Sequence, residues 1–222
     1  MATPLPITVY SDVICPWCYV GKRRLEAALG TLSLPNDVQF SWRPFELNPE
    51  MPVEGITRAE YRAQKFGTDR AAELDRNMTA IGREVGIDFA FDRMQRTPNT
   101  RLAHRLIWDA DRQGRQNAIV DRLFRAYFEE ALDIGSADVL KRLAAEAGLD
   151  AEGVQQALTD ANSLDAVVEL EQQGYRMGIQ GVPFFIVMGR YGISGAQPPE
   201  LWREALPKIA AEAEKDETAP VS

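Results

Sequence analysis

Ile7-Thr8-Val9-Tyr10-Ser11-Asp12-Val13-Ile14-Cys15-Pro16-Trp17-Cys18, with Gly21-Lys22-Arg23-Arg24-Leu25-Glu26-Ala27-Ala28-Leu29 close behind it, decides the fold of this 222-residue chain. The segment from Ile7 to Val13 is β-branched and aromatic and reads as a strand, while the one from Gly21 is basic and helix-favouring. Between them stand the only two cysteines of the chain, with two residues separating them. A pair placed where a strand turns into a helix sits among backbone N–H groups that have no intrahelical partner, at the positive end of the helix dipole.

That position suits redox chemistry. The attacking species in thiol–disulfide exchange is a thiolate, whereas an ordinary cysteine, with a pKa of about 8.5, is mostly protonated at neutral pH. A helix start stabilises the anion, and Pro16 fits the first helical position because its missing N–H would have no partner there anyway. Cys18 falls about one turn on, on the same face, close enough to close a small ring with Cys15. The expectation is an exposed attacking Cys15 and a sheltered resolving Cys18. Lys22 and Arg23, a turn further along, either add positive field or are simply solvated. Three other readings compete. A structural disulfide across so short a loop removes little unfolded-state entropy. A zinc site needs about four ligands, and beyond this pair the chain offers only one histidine, His104. The third is a chance pairing of two buried cysteines.

Working outward, 45% hydrophobic residues are ordinary for a globular chain with a real core. Met1-Ala2-Thr3-Pro4-Leu5-Pro6 lacks a basic region followed by an apolar stretch, and no segment approaches transmembrane length, so no membrane partner and a cytoplasmic location are expected. A reducing compartment makes permanent disulfides uncommon and catalytic or sensing ones the usual exception. A net charge of −8 argues against nucleic acid as a partner.

Val38 to Leu47 alternates well enough for a second strand, with Pro44 putting its end at or near a sheet edge. From Thr57 to Met177 the pattern changes to helices, predicted at 57–66, 69–85, 98–113, 116–131, 136–147, 151–160 and 163–177, with Ser136 as an N-cap. Pro183 to Met188 reads as a strand, Gly189-Arg190 as a two-residue turn and Tyr191 to Ser194 as the partner strand. A last helix runs from Pro199 to Glu214, kinked or restarted at Pro207, before a polar tail. A sheet that pairs the first and last thirds must bulge the middle out.

Three phrases carry a resemblance: Asp12-Val13-Ile14-Cys15-Pro16-Trp17-Cys18-Tyr19-Val20-Gly21-Lys22; Pro98-Asn99-Thr100 through Ala103-His104-Arg105-Leu106; and Ser194-Gly195-Ala196-Gln197. With Gly181-Val182-Pro183 before a late strand, the chain resembles the DsbA-like branch of the thioredoxin superfamily, in particular its cytosolic FrnE-like members, polyketide-biosynthesis dithiol-disulfide isomerases. The implied fold class is α/β, a thioredoxin-like fold with a large all-helical insertion: an N-terminal βαβ part at 1–56, the insertion at 57–177, a C-terminal ββα part at 178–214 and a flexible tail at 215–222. The implied activity is thiol–disulfide oxidoreductase or isomerase, with Cys15 and Cys18 catalytic. The resemblance also implies that Pro183 is a cis-proline opposite the dithiol and that the backbone of Val182 pairs with an extended substrate; X-Pro is the bond at which a cis peptide is cheapest. The second cysteine pair of some relatives is absent.

Pro16, Trp17, Val182, Pro183 and His104 are thus the candidate substrate-binding residues. His104 either faces the cleft or is a packing residue satisfied within its helix. Trp17 is read as an exposed recognition surface, and Trp42 and Phe45 as core. Asp12 either accepts backbone hydrogen bonds in the turn or acts on the pair electrostatically. No cofactor or metal is expected. The partners are a disulfide- or thiol-containing small molecule or protein, with glutathione as a redox partner. The alternative is a glutathione-dependent enzyme of the kappa-class transferase or 2-hydroxychromene-2-carboxylate isomerase type. These share the Asn99-Thr100 and Ala103-His104 phrase but typically carry serine where Cys15 stands. A third reading is a binding module or holdase that uses the cleft for exposed hydrophobic peptide.

Overall fold

The computed structural model describes residues 4–34 and 37–218, with backbone alone over 213–218. In chain order the elements are β1 (Leu5–Ser11), α1 (Pro16–Leu29), β2 (Val38–Pro44), β3 (Ile56–Thr57), α2 (Arg58–Phe66), α3 (Thr68–Glu84), β4 (Arg96–Thr97), α4 (Arg101–Arg112), α5 (Gln116–Phe128), α6 (Ala137–Glu146), α7 (Ala151–Thr159), α8 (Ala161–Arg176), β5 (Phe184–Val187), β6 (Tyr191–Ser194) and α9 (Pro199–Thr218). The fold is α/β, with a block of helices inserted between β2 and β5. Its sheet has the order β2-β1-β5-β6. β1 runs parallel to β2 from Leu5 opposite Val38 to Ser11 opposite Pro44, and antiparallel to β5, with Val9 opposite Phe185.

β1 is central because both its faces are covered. Leu5, Ile7 and Val9 enter the main apolar cluster, whereas Tyr10 joins a smaller one with Phe45 and Ile179. The main cluster also takes Phe185 and Val187 from β5, Tyr19 and Leu25 from α1, and Leu106, Leu123, Phe124 and Leu140 from the helical block. The insertion therefore shares the core of the sheet, and α4, α5 and α8 pack against β2. Tyr19 ties the helix carrying the dithiol into this block. Its ring stacks on Phe124 at 5.0 Å between centroids and its hydroxyl donates to Glu129 Oε1 at 2.5 Å.

Several boundaries differ from expectation for visible reasons. β1 stops at Ser11 and β2 at Pro44, because the Asp12 carboxylate draws the Leu47 N–H (2.8 Å) and the Ile14 N–H (3.4 Å) out of ladder geometry. β2 is an edge strand with Pro44 last, as Pro44 implies. α4 begins at Arg101 and not at 98. Asn99 accepts the Arg101 N–H at 2.9 Å and donates to Met51 O at 2.8 Å, a side-chain turn that competes with helix. α5 stops at Phe128, short of 131, where Ala131 takes a positive φ of 58°.

The β5–β6 turn is not the predicted two-residue one. Val187 faces Tyr191, and the positive-φ positions are Met188 and Gly189. α9 continues as one element across Pro207 to Thr218, its buried Trp202, Leu206, Ile209 and Ala210 lying on both sides of the proline. Of the expected tail, 215–218 are helical, and 219–222 lie outside the described residues. Ser136 does stand at the N-cap of α6, though its hydroxyl accepts no capping bond. The two-residue pairing of β3 with β4 has no signal in the sequence.

Candidate dithiol site

Cys15 is the N-cap of α1, with φ −88° and ψ 111°, and Pro16 occupies the first helical turn. The Cys15 N–H donates to Asp12 O at 3.0 Å, and Cys15 O accepts the Cys18 N–H at 3.0 Å, which fixes the two residues on one face of the first turn. No side chain caps this end and no acidic residue stands in the first turn, so the positive end of the helix is not neutralised locally. Both cysteines are buried and stand as free side chains. The Cys15 side chain is near enough to Cys18 to strengthen that thiol's hold on its proton.

The expected contrast in accessibility is smaller than predicted. Cys15 is only 4% exposed and Cys18 1%. The difference lies in what each faces: Cys15 lines a cleft, and Cys18 does not. Burial pushes the Cys18 thiol well above its ordinary range, and the neighbouring Cys15 adds to this. Ser11 and the Asp12 backbone oppose it without prevailing.

Across the cleft mouth, Cys15 Sγ donates to Val182 O at 3.7 Å, and the Val182–Pro183 peptide is cis. Pro183 is buried against α1. A Cβ at Gly21 would stand 3.1 Å from Pro183 Cγ and 3.4 Å from Ala196, so the glycine in mid-helix permits this close approach. Arg24 reinforces it by donating to Ala196 O at 2.7 Å. Gly21→Val should therefore push the Pro183 segment from the dithiol and cost about 1–3 kcal/mol through overpacking. Gly21→Ala should cost less, since a shift of a few tenths of an ångström accommodates it. Denaturant midpoints of the two variants, measured beside their disulfide-exchange rates, check this order.

The cleft has a volume of about 570 Å³ and runs from Cys15, Pro16, Trp17 and Val182 to α2 and α3. Trp17 is 42% exposed, as its position between the cysteines predicts. Trp42 and Phe45 are core. Lys22 and Arg23, a turn along α1, are engaged by other partners. Lys22 is buried in ion pairs with Glu26 and, at 2.6 Å, with Asp121 of α5, while Arg23 bonds Tyr19 and Glu26. The cleft instead receives Arg58, Arg62 and Lys65 from α2. Their spacing of four and three residues, one helical face, is the signal that sequence reading passes over.

Of the two readings of His104, the structure shows the buried one. The residue is 3% exposed, does not line the cleft, and lies with Nε2 3.5 Å from Asp12 Oδ1, without a well-formed hydrogen bond. Around it is a buried polar layer. Arg101 grips Glu46 through Nε at 2.9 Å and a second nitrogen at 2.5 Å, and the Glu46 N–H donates to Glu171 at 2.5 Å. Burial alone would depress the imidazole pKa, but Asp12, Glu46 and Glu171 together outweigh it and hold His104 above its usual range. Asp12 is thus the hinge of the site, its carboxylate holding the backbone of Ile14 and Leu47 and its carbonyl holding Cys15.

Among the described residues, no helix is long and apolar enough to cross a membrane. A crystal structure of a probable DsbA oxidoreductase, SCO1869 of Streptomyces coelicolor, superposes with a TM-score of 0.86 at 32% identity, covering 98% of this chain and 93% of that one. The Bacillus subtilis (strain 168) protein YwbO, described as uncharacterized, is 29% identical over 201 residues, 90% of this chain and 94% of its own. The cytosolic disulfide reductase DsbM of Pseudomonas aeruginosa, solved with glutathione, shares the fold at a TM-score of 0.64 and 21% identity, covering 93% of this chain and all of that one. With residues 6–207 matching the DSBA-like thioredoxin domain, the chain belongs to that family.

Proposed function

We propose that this protein is a thiol–disulfide oxidoreductase or isomerase that works through the Cys15/Cys18 dithiol, with Val182 and Pro183 shaping the substrate groove. The observation that carries this reading is a cysteine at an uncapped helix start, facing the carbonyl of Val182 with a second cysteine one turn along the same helix. In the reducing direction, the Cys15 thiolate attacks a substrate disulfide R–S–S–R′, forming Cys15–S–S–R and releasing R′S⁻. Cys18 then loses its proton and attacks the Cys15 sulfur, which closes the Cys15–Cys18 disulfide and expels RS⁻. Oxidation of a dithiol substrate is the reverse. An intact pair favours this chemistry over the glutathione-dependent isomerase or transferase alternative, for which one nucleophile suffices.

Within the family, the phrase from Asp12 to Lys22 supports the FrnE-like branch. A thiol- or disulfide-containing small molecule or protein is the proposed partner, with glutathione as the redox buffer and the cytoplasm as the compartment; the likeness to cytosolic DsbM supports both.

The buried Cys18 gives the test. Because burial holds it as a thiol, the resolving step has to speed up as pH rises, about tenfold per unit while the thiol form dominates. After mixing with a small disulfide, wild-type protein should carry a longer-lived mixed disulfide on Cys15 at pH 6 than at pH 8. Cys18→Ser should accumulate that adduct stoichiometrically at both. Mass spectrometry of acid-quenched samples reads the adduct. No adduct on Cys15 in the Cys18→Ser protein would remove the reading.

A further inference from the structure

In a chain of net charge −8, the cleft beside Cys15 is lined by three cations, Arg58, Arg62 and Lys65, and one carboxylate, Asp75. Asp75 is shared, 2.9 Å from Arg58 and 2.7 Å from Arg62. Lys65 bonds only neutral groups, Tyr61 at 2.7 Å and Asn48 at 3.3 Å, and among the described residues no carboxylate reaches it. Arg62 Nε is buried without a hydrogen-bond partner, a state that costs free energy unless something else meets it. Burial depresses the Arg62 pKa, and its neighbour Arg58 adds to that against the pull of Asp75.

The rest of the wall is apolar and aromatic, with Phe66, Met78, Ile81, Phe91 and Phe128. The guanidinium of Arg62 lies 4.6 Å from the Phe66 centroid and that of Arg58 5.0 Å from Phe91. Cations stacked on rings in a site of about 570 Å³, the size of a small-molecule pocket, select one kind of guest. Its body is apolar or aromatic, it bears an anionic group, and it is small enough to lie between α2 and the dithiol.

We infer that this cleft is the binding site for a small-molecule disulfide whose non-reacting part is aromatic or otherwise apolar and carries a carboxylate, seated with the carboxylate at Arg62 and Lys65 and a sulfur at Cys15. The inference rests on the dithiol reading above. Cys15 attacks the near sulfur and one aryl thiolate leaves. Cys18 then loses its proton, attacks Cys15 Sγ and releases the second thiolate. The protein dithiol is oxidised by two electrons, the ligand disulfide is reduced by two, and two protons pass to solvent. Glutathione, polar throughout and carrying its own ammonium group, leaves the aromatic wall uncovered.

The test compares reduced wild-type protein with 5,5′-dithiobis(2-nitrobenzoate), an anionic aryl disulfide, and 4,4′-dithiodipyridine, a neutral one, each rate normalised to N-acetylcysteine to remove intrinsic reactivity. The protein should favour the anionic disulfide by about tenfold, as one charge-assisted contact to a carboxylate allows. The preference should shrink with added salt. It should also fall several-fold in Lys65→Gln, a surface change, and in Arg62→Gln. A preference absent from the wild type, or unaltered by salt and by Lys65→Gln, overturns the subsite, and faster reaction with oxidised glutathione than with the aryl disulfide does the same.

A second arm needs no sulfur chemistry. Cys15→Ser/Cys18→Ser protein should bind 1-anilinonaphthalene-8-sulfonate more tightly than neutral N-phenyl-1-naphthylamine, and lose that difference in Lys65→Gln. If this preference holds while neither disulfide reacts with the wild type, the dithiol reading fails and the subsite stands. Equal binding of the two dyes with normal disulfide reactivity sinks the subsite alone.

Discussion

Cys15→Ser protein loses disulfide exchange, measured as insulin reduction with dithiothreitol, by about three orders of magnitude or more, the scale seen when an enzyme's nucleophile is removed. A serine hydroxyl stays protonated at neutral pH and cannot form or break an S–S bond. The fold should not suffer. Cys15 makes no capping bond at the start of α1, whereas serine is among the best N-cap residues, so the variant should be as stable as wild type or more so by up to about 1 kcal/mol. Activity and stability then move in opposite directions, which separates loss of chemistry from loss of structure. The only other cysteine, Cys18, is buried and held as a thiol. Exchange retained by a folded Cys15→Ser protein would therefore end the oxidoreductase reading.

The site divides into a part that the sequence makes legible and a part it does not. The strand-to-helix junction can be read locally: a β-branched run, a proline in the first helical turn and a two-residue cysteine spacing are each sufficient over a few residues, and they fall together at Cys15. The Pro183 segment is legible only through resemblance, since nothing local distinguishes its proline from one that opens a strand. The buried polar layer is invisible in the sequence because it is made by convergence. Asp12 ends β1, Glu46 follows β2, Arg101 and His104 lie on α4, and Glu171 lies on α8.

Helical periodicity finds the apolar stripe of α4 through Leu106 and Ala110. It fails for His104, because α4 is enclosed on its other side too, with Arg105 and Asp109 also buried. Lys22 misleads for the same reason. A basic residue on a first helix reads as solvated until α5 brings Asp121 to it. The β3–β4 pair and the cation face of α2 depend on contacts between segments some forty residues apart, where local propensity has no say. The regular elements remain accurate to within a few residues because each is decided by its own amphipathic pattern and end signals.

The second large effect concerns stability and pH. His104 is enclosed by Asp12 from the end of β1, Glu46 beyond β2 and Glu171 from α8, with Arg101 one helical turn away on α4. Burial works against its charge, but the three carboxylates prevail and its pKa stands above the unfolded value of about 6.5. A group whose pKa rises on folding stabilises the fold through its protonated form. That contribution is complete below about pH 6.5 and is lost as pH climbs through the raised value. Glu171, raised chiefly by its own burial, likewise favours the protonated form and acts in the same direction.

His104→Gln keeps a polar side chain but removes the cation, leaving the Asp12 carboxylate buried with only backbone donors. Losing one partner of a buried pair should cost about 3 kcal/mol at pH 6, and the gap from wild type should narrow steadily toward pH 9. Urea unfolding across that range reads it, and a gap that is constant or widens with pH would show that His104 is not held as a cation by the layer. The effect should reach the dithiol, because Asp12 also fixes the Ile14, Leu47 and Cys15 backbone. Once Asp12 loses its countercharge, the start of α1 loosens and Cys15, nearly closed off in the native protein, becomes easier to reach. Alkylation of folded His104→Gln protein by iodoacetamide should then be faster than wild type at pH 6, with the difference fading at higher pH along with the stability gap.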